Sequence, residues 1–476
     1  MAARDIDPAR YTQPFMDFMN QNPTIFHAVD YFSKELEKEG FTKLSEKKIW
    51  NDQLKAGGKY YVTRNDSSLV AFSIPPKYKA GNGIAMVAGH IDALAAKLKP
   101  VSKKPVTEGY VQLGVAPYSG GLSDTWWDRD LGIGGRIIVK NSEGKIESKL
   151  AKLDWPIARV STLAPHFGAP SQGPFNAETQ MTPVIGLERY ISKCRSSEDD
   201  QNAMPAGTFV AKQPARLVKT IAAELGITDY SSILDWELEL YSFQTATVGG
   251  LSKEFIYSSR MDDKLCSWAA LQALIEASRD PGSRGTVSMC GLFDSEEIGS
   301  KLRQGAASNL ISNAVERIAE AFAPDNKSGP SLIGQTYANS FLVSADVTHA
   351  VNNNFAGVYL PEHTPHLNVG LTVKCDPNGH MTTESLSHTL LKRIAEKSGH
   401  TLQVFHIRND SRSGGTVGPM LSSAMGVRAV DGGIPVLSMH SIREATGSKD
   451  PGLGVQIFTG FYQYFEEVDA EFTDER

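Results

Sequence analysis

Apolar side chains recur at three- and four-residue intervals over Tyr11 to Asn20 and again over Thr24 to Glu39, where Phe26, Val29, Phe32 and Leu36 fall on one stripe. This spacing predicts two helices covering a sheet. Tyr60 to Thr63 and Leu69 to Ile74, separated by the polar Asn65-Asp66, read as a hairpin. Ile84 to Ala88 is a continuous apolar run of interior-strand length that ends at Gly89-His90-Ile91-Asp92.

From about residue 95 to 250 helical periodicity nearly vanishes, and glycine, proline, short β-prone runs and polar tracts such as Ser196 to Asp200 take over. This predicts a separate β-rich domain over 95–250, inserted between catalytic-domain parts 1–94 and 251–476. Its convincing helix spans Arg216 to Glu224, and Trp236 to Tyr241 alternates like a strand with one wet face. Gly132-Ile133-Gly134-Gly135-Arg136 has the wrong glycine spacing for a dinucleotide loop, and a strand rather than a helix follows it.

After Gly249-Gly250 strands and helices alternate again. Strands are expected at Phe255–Ser258, Val287–Leu292, Phe341–Asp346, Val369–Lys374, Gln403–Ile407 and Val436–His440. Helices are expected at Lys264–Ser278, Ser308–Phe322, Leu386–Lys397 and Gly454–Phe472. The fold class is therefore α/β, with a mixed, mostly parallel sheet flanked by helices and a β-rich insert. In such sheets ligands collect beyond the carboxyl ends of the strands.

Length and composition fit this picture, since 476 residues exceed one compact core and 41% hydrophobic with 21% charged residues describe an ordinary globular chain. A net charge of -6 gives no basic footprint for nucleic acid or an anionic membrane, and no apolar run reaches bilayer length. Four scattered cysteines, Cys194, Cys266, Cys290 and Cys375, argue against a disulfide framework and a thiolate zinc site. Acids early in the N-terminus and the lack of an apolar segment there predict residence in the cytosol.

Two adjacent carboxylates, Glu296 and Glu297, close the strand Val287–Leu292. Like charges at a strand end resist desolvation unless a cation compensates. One of the pair can ligate a metal while the other takes a proton from the attacking water; the bland alternative is a solvated Glu-Glu opening a helix with Ser295 as N-cap. His90, Asp262, Glu297, Asp346 and His440 all lie at or just past predicted strand ends of the α/β part. Two histidines and three carboxylates without a thiolate suit borderline-hard divalent ions, and the set is one short of two closed sites, so one carboxylate should bridge. Asp92 is placed to orient the His90 ring. Either Asp262 or Asp263 could instead cap the following helix, and spacing alone does not choose between them as ligand.

The runs Gly89-His90-Ile91-Asp92-Ala93, Ser259-Arg260-Met261-Asp262-Asp263, Asp294 to Ser300, Ser344 to His349, Asp410 to Thr416 and Met439 to Arg443, with Leu163 to Gly168, resemble those of the aspartyl aminopeptidase and vacuolar aminopeptidase I family of dinuclear zinc metallopeptidases. The resemblance covers nearly the whole chain. It implies two zinc ions per subunit bridged by Asp262, with His90 and Asp346 on one, Glu297 and His440 on the other, and Glu296 as general base. It further implies that the insert is a dimerisation domain, that dimers build a tetrahedral homododecamer, and that His166 of the insert reaches a neighbour's site. Lys374 and His349 would then bind substrate, and Lys374 matches the lysine of the acid-preferring branch.

The expected activity is removal of the N-terminal residue of peptides, with Asp or Glu preferred and a neutral, vacuolar-type preference as the alternative. A metallo-deacylase and, from another class, an assembling cargo or scaffold with a vestigial site are the rival readings. Delivery to the vacuole is the second destination the resemblance implies.

Overall fold

A computed structural model describes residues 2–193, 204–324 and 329–473. Cys194 and the polar tract Ser196 to Asp200 lie outside the described residues. The chain forms two compact units: 1–93 with 246–439 and 444–476, and 94–245 with the short segment 440–443.

The first unit is built on a nine-stranded mixed sheet. At its centre Val287–Phe293, Ile84–His90, Phe341–Ala345 and Arg428–Gly433 run parallel, in that spatial order. The first three of these are buried along their whole length, which is why they read as unbroken apolar runs rather than alternating ones. On one side the hairpin Lys59–Arg64 and Ser68–Ser73 extends the sheet antiparallel; on the other Thr372–Cys375 joins antiparallel and Gln403–His406 pairs parallel with it.

Helices Ile25–Lys38, Met261–Arg279, Ser385–Ser398 and Asp450–Asp469 fall within a few residues of the positions their periodicity predicts. Thr24 caps the first by accepting the His27 N–H. Met261–Arg279 is buried at most positions, so it shows little amphipathic contrast.

Three expectations change. The strand expected over Val369 to Lys374 is Thr372–Cys375, antiparallel to Arg428–Gly433, so Lys374 does not close it. Val436 to His440 is not a strand beyond Pro435–Val436; Ser438 and His440 take left-handed φ values of 60° and 65°. Finally, Arg428–Gly433, a central strand, escapes the apolar-run criterion because Asp431, Gly432 and Gly433 interrupt it.

The second unit holds a six-stranded antiparallel sheet of Ala95–Lys103, Tyr110–Tyr118, Leu131–Lys140, Ile146–Lys152, Val184–Leu187 and Ile233–Ser242. Helix Ala215–Glu224 packs its Leu217, Val218 and Ile221 into the same core as Trp126, Ile133, Ile137 and Leu240. Along Ile233–Ser242, Trp236, Leu238 and Leu240 are buried while Glu237 is exposed.

Candidate active site

The site begins with the common direction of the central strands. In the parallel register Phe293 lies opposite His90, Ser344 opposite Ala88, and Ala345 opposite Gly432. One edge of the sheet therefore receives His90, the turn after Phe293, and Asp346. That turn opens with Ser295 at φ 66° and closes with Gly299 at φ 96° around the short helical turn Glu296–Ile298. Ser295 makes no side-chain cap. The backbone N–H groups of Glu296 and Glu297 are instead accepted by Asp92, one on each carboxylate oxygen and both at 3.1 Å.

His90 is buried, and its Nδ1 faces the Asp92 carbonyl at 3.2 Å and the Asp92 carboxylate at 3.3 Å. Its Nε2 meets three further carboxylates: Asp262 at 3.2 Å, Asp346 at 3.7 Å and Glu296 at 3.8 Å. Asp262 and Asp263 follow Arg260, whose φ is 61°, and are joined by a cis peptide bond. Neither has helical backbone angles, although both lie within the first turn of Met261–Arg279.

Glu444 holds this turn from the adjacent short strand, accepting the Met261 N–H at 2.6 Å and the Asp262 N–H at 3.4 Å. Glu444 was not singled out in the sequence. In the sequence it is an acid directly after the run Met439 to Arg443, followed by the small residues Ala445, Thr446 and Gly447.

Burial opposes charge on His90, but hydrogen bonds to Asp262, Asp346 and Asp92, with the Glu296 charge, outweigh it and raise its pKa well above the usual range. Burial pushes Glu296 up to about 7; His90 works against this, while the charges of Asp346, Asp92 and Asp262 add to it. Desolvation pushes the half-buried Asp346 up, yet Lys374 and His90 hold it well below the usual carboxylate range.

A family model described as "Aminopeptidase I zinc metalloprotease (M18)" matches residues 18–462. The chain belongs to the M18 aminopeptidase family. Vacuolar aminopeptidase 1 of Saccharomyces cerevisiae is 44% identical over 97% of this chain and 89% of its own length. An aspartyl aminopeptidase of Aspergillus oryzae is 39% identical over 95% of this chain and 96% of its own. Among solved structures, the mApe1 dodecamer of S. cerevisiae superposes with a TM-score of 0.86 at 38% identity, covering 98% of this chain and 99% of that one. As an M18 member the chain is a zinc metallo-aminopeptidase, and its mixed α/β architecture is that of its solved relatives.

The donors fit the family's zinc. Ligand atoms of His90, Asp263 and Asp346 lie within 4.8 Å of one another, and oxygens of Asp262 and Glu297 are equally close. Carboxylates outnumber the one imidazole among them, an excess of negative charge that a divalent cation neutralises. Asp263 thus falls in a group with His90 and Asp346, although Asp262 Oδ1 is also only 3.2 Å from His90 Nε2. However, both Asp263 oxygens accept backbone N–H groups, whereas Asp262 Oδ1 is aimed at His90 Nε2.

The remaining expected residues sit as follows. Lys374 is buried, with Nζ 3.6 Å from Asp346 Oδ2 and 3.5 Å from the Val347 carbonyl. His349 is exposed at the end of the short strand Thr348–His349, its ring 5.8 Å from that of Phe405. His166 is exposed in the turn Pro165–Phe167 of the second unit. His440, expected in the α/β part, belongs to the segment 440–443 that groups with the second unit.

Proposed function

We propose that this M18 aminopeptidase removes an acidic first residue from peptides at a site for two zinc ions. Asp262 would bridge them, with His90 and Asp346 on one and Glu297 and His440 on the other. The observation that carries this reading is the convergence of Asp262, Asp346 and Glu296 on His90 Nε2, all within 3.8 Å. Zinc bound there would supply Lewis acidity for the first peptide carbonyl and an acidified water.

The protein's own groups do the rest. Glu296 takes the proton of the attacking water and hands it to the leaving amine. Asp92 fixes the His90 ring and, through the two N–H groups, the backbone of Glu296 and Glu297. Lys374 places a buried ammonium beside Asp346. Once Asp346 shares its charge with a metal, that ammonium can pair with a substrate carboxylate. His349 contributes from the exposed rim.

Self-association is supported by the second unit's exposed apolar side chains, among them Ile146 at 68%, Phe167 at 66% and Tyr190 at 67%. The assembly proposed is a tetrahedral homododecamer paired through this unit, in which His166 reaches the site of a neighbouring copy. Residence in the cytosol with delivery to the vacuole accords with the vacuolar relative. Among the described residues no helix is long and apolar enough to cross a membrane.

A neutral first-residue preference is the second reading, because the Lys374 ammonium already has Asp346 as its partner. Metal analysis of the purified protein with Asp-, Glu- and Leu-linked substrates, free and N-acetylated, tests both readings. The proposal expects two zinc ions per chain, a strict need for the free amine and faster turnover of the acidic substrates. Turnover of the acetylated forms would reject it.

A further inference from the structure

Asp263 follows the proposed bridging residue and is fully buried. Its carboxylate joins two strands: Oδ2 accepts the His90 N–H at 3.4 Å, and Oδ1 accepts the Val347 N–H at 3.2 Å. His90 ends one strand, and Val347 follows Asp346 just past the end of its parallel neighbour. One side chain thus spans the two main-chain positions that present His90 and Asp346, and its own backbone continues directly from Asp262.

Gly89 points independently to the same contact. A Cβ there would lie 2.7 Å from Asp263 Oδ2 and 2.7 Å from the Ala345 carbonyl oxygen, so the carboxylate enters where the strand carries no side chain. The neighbouring Ser267 hydroxyl donates to the His90 carbonyl at 2.6 Å, holding the other main-chain polar group of the same residue.

We infer that Asp263 is a positioning residue that sets the spacing of His90, Asp262 and Asp346, in a gap kept open by Gly89, and is not itself a metal ligand. This rests on the zinc site proposed above. Each Asp263 oxygen is taken up by a backbone N–H at one of the two strand ends, which ties the carboxylate to the main chain. It acts through the three side chains it aligns.

The test uses the full-length protein carrying Asp263→Asn. An amide presents one oxygen and one NH2, so one of the two backbone donors loses its acceptor. Zinc affinity, read by competition with a chelator, should fall about 10- to 100-fold, the range seen when outer partners of metal ligands are lost. At saturating cobalt the visible absorption spectrum should match that of wild type, because the ligands themselves are intact. A changed spectrum at saturation, which marks Asp263 as a ligand, overturns the inference, and so does an unchanged affinity.

Gly89→Ala supplies a second route if Asp263→Asn does not fold. It should show the same weakened affinity and unchanged spectrum, and wild-type affinity in it also overturns the inference. Wild type that holds zinc tightly beside an unperturbed Asp263→Asn removes only the positioning role. Wild type that holds no zinc removes the site as well.

Discussion

Asp92 holds Glu296 by its backbone, one carboxylate oxygen accepting the Glu296 N–H at 3.1 Å while the other accepts that of Glu297 at the same distance. The same carboxylate lies 3.3 Å from His90 Nδ1, so it fixes a proposed ligand and the proposed base together. Asp92→Ala should therefore lower kcat about 10- to 100-fold, with part of the zinc lost. Kinetics and metal content measured on the same preparation check this. Full activity with full zinc would show that the turn keeps its shape unaided.

Glu296 lies 3.8 Å from His90 Nε2, among the carboxylates gathered there. Glu296→Gln keeps the shape and removes the proton acceptor. It should retain fold and zinc while losing about 10²- to 10⁴-fold in kcat. Unchanged turnover would reject the assignment.

The parts of the candidate site that are legible in the sequence are those where chemistry and strand pattern coincide. His90, Glu297 and Asp346 sit where buried apolar runs stop. What stayed hidden depends on backbone geometry. The choice between Asp262 and Asp263 turns on which side chain faces His90 and which is taken up by N–H groups, and spacing does not encode this.

Arg428–Gly433 was missed for a similar reason. A Cβ on Gly433 would lie 1.7 Å from the Asp346 carbonyl, so the strand must use a residue that weakens its own signature. The apolar run that leads to His440 in the sequence turns, in the structure, through left-handed Ser438.

His166 is exposed in its own chain, between Leu163 at 43% and Phe167 at 66% exposure, a setting that fits contact with another copy. His166→Ala should leave the oligomer and its zinc intact and lower activity by about 100-fold or more, as the loss of one transition-state donor does. Sedimentation and zinc content run beside the assay. Full activity in the intact oligomer would reject the cross-subunit role.

Lys374 separates two substrate classes. Lys374→Ser removes the ammonium 3.6 Å from Asp346. If that ammonium meets the substrate, kcat/KM should fall about tenfold or more for Glu-linked peptides and change little for Leu-linked ones. Equal losses on both would mean that Lys374 serves only to steady Asp346.

His400 governs acid stability away from the site. It is buried, its Nε2 accepts the Leu371 N–H at 3.0 Å, and its Nδ1 faces Gln456 Oε1 at 3.3 Å, so the ring is held neutral. Burial lowers its pKa to about 4, against a small opposing pull from Gln456. An unfolded histidine titrates near 6.5, so between these values the unfolded chain binds a proton that the native chain refuses. The contribution is complete above about pH 6.5 and is lost as pH falls toward 4. His400→Gln cannot titrate, so the stability gap between wild type and variant should narrow by about 2 kcal/mol from pH 7.5 to pH 5. Urea midpoints at the two pH values measure it, and a gap that stays constant would mean His400 is protonated in the native fold as readily as in the unfolded chain.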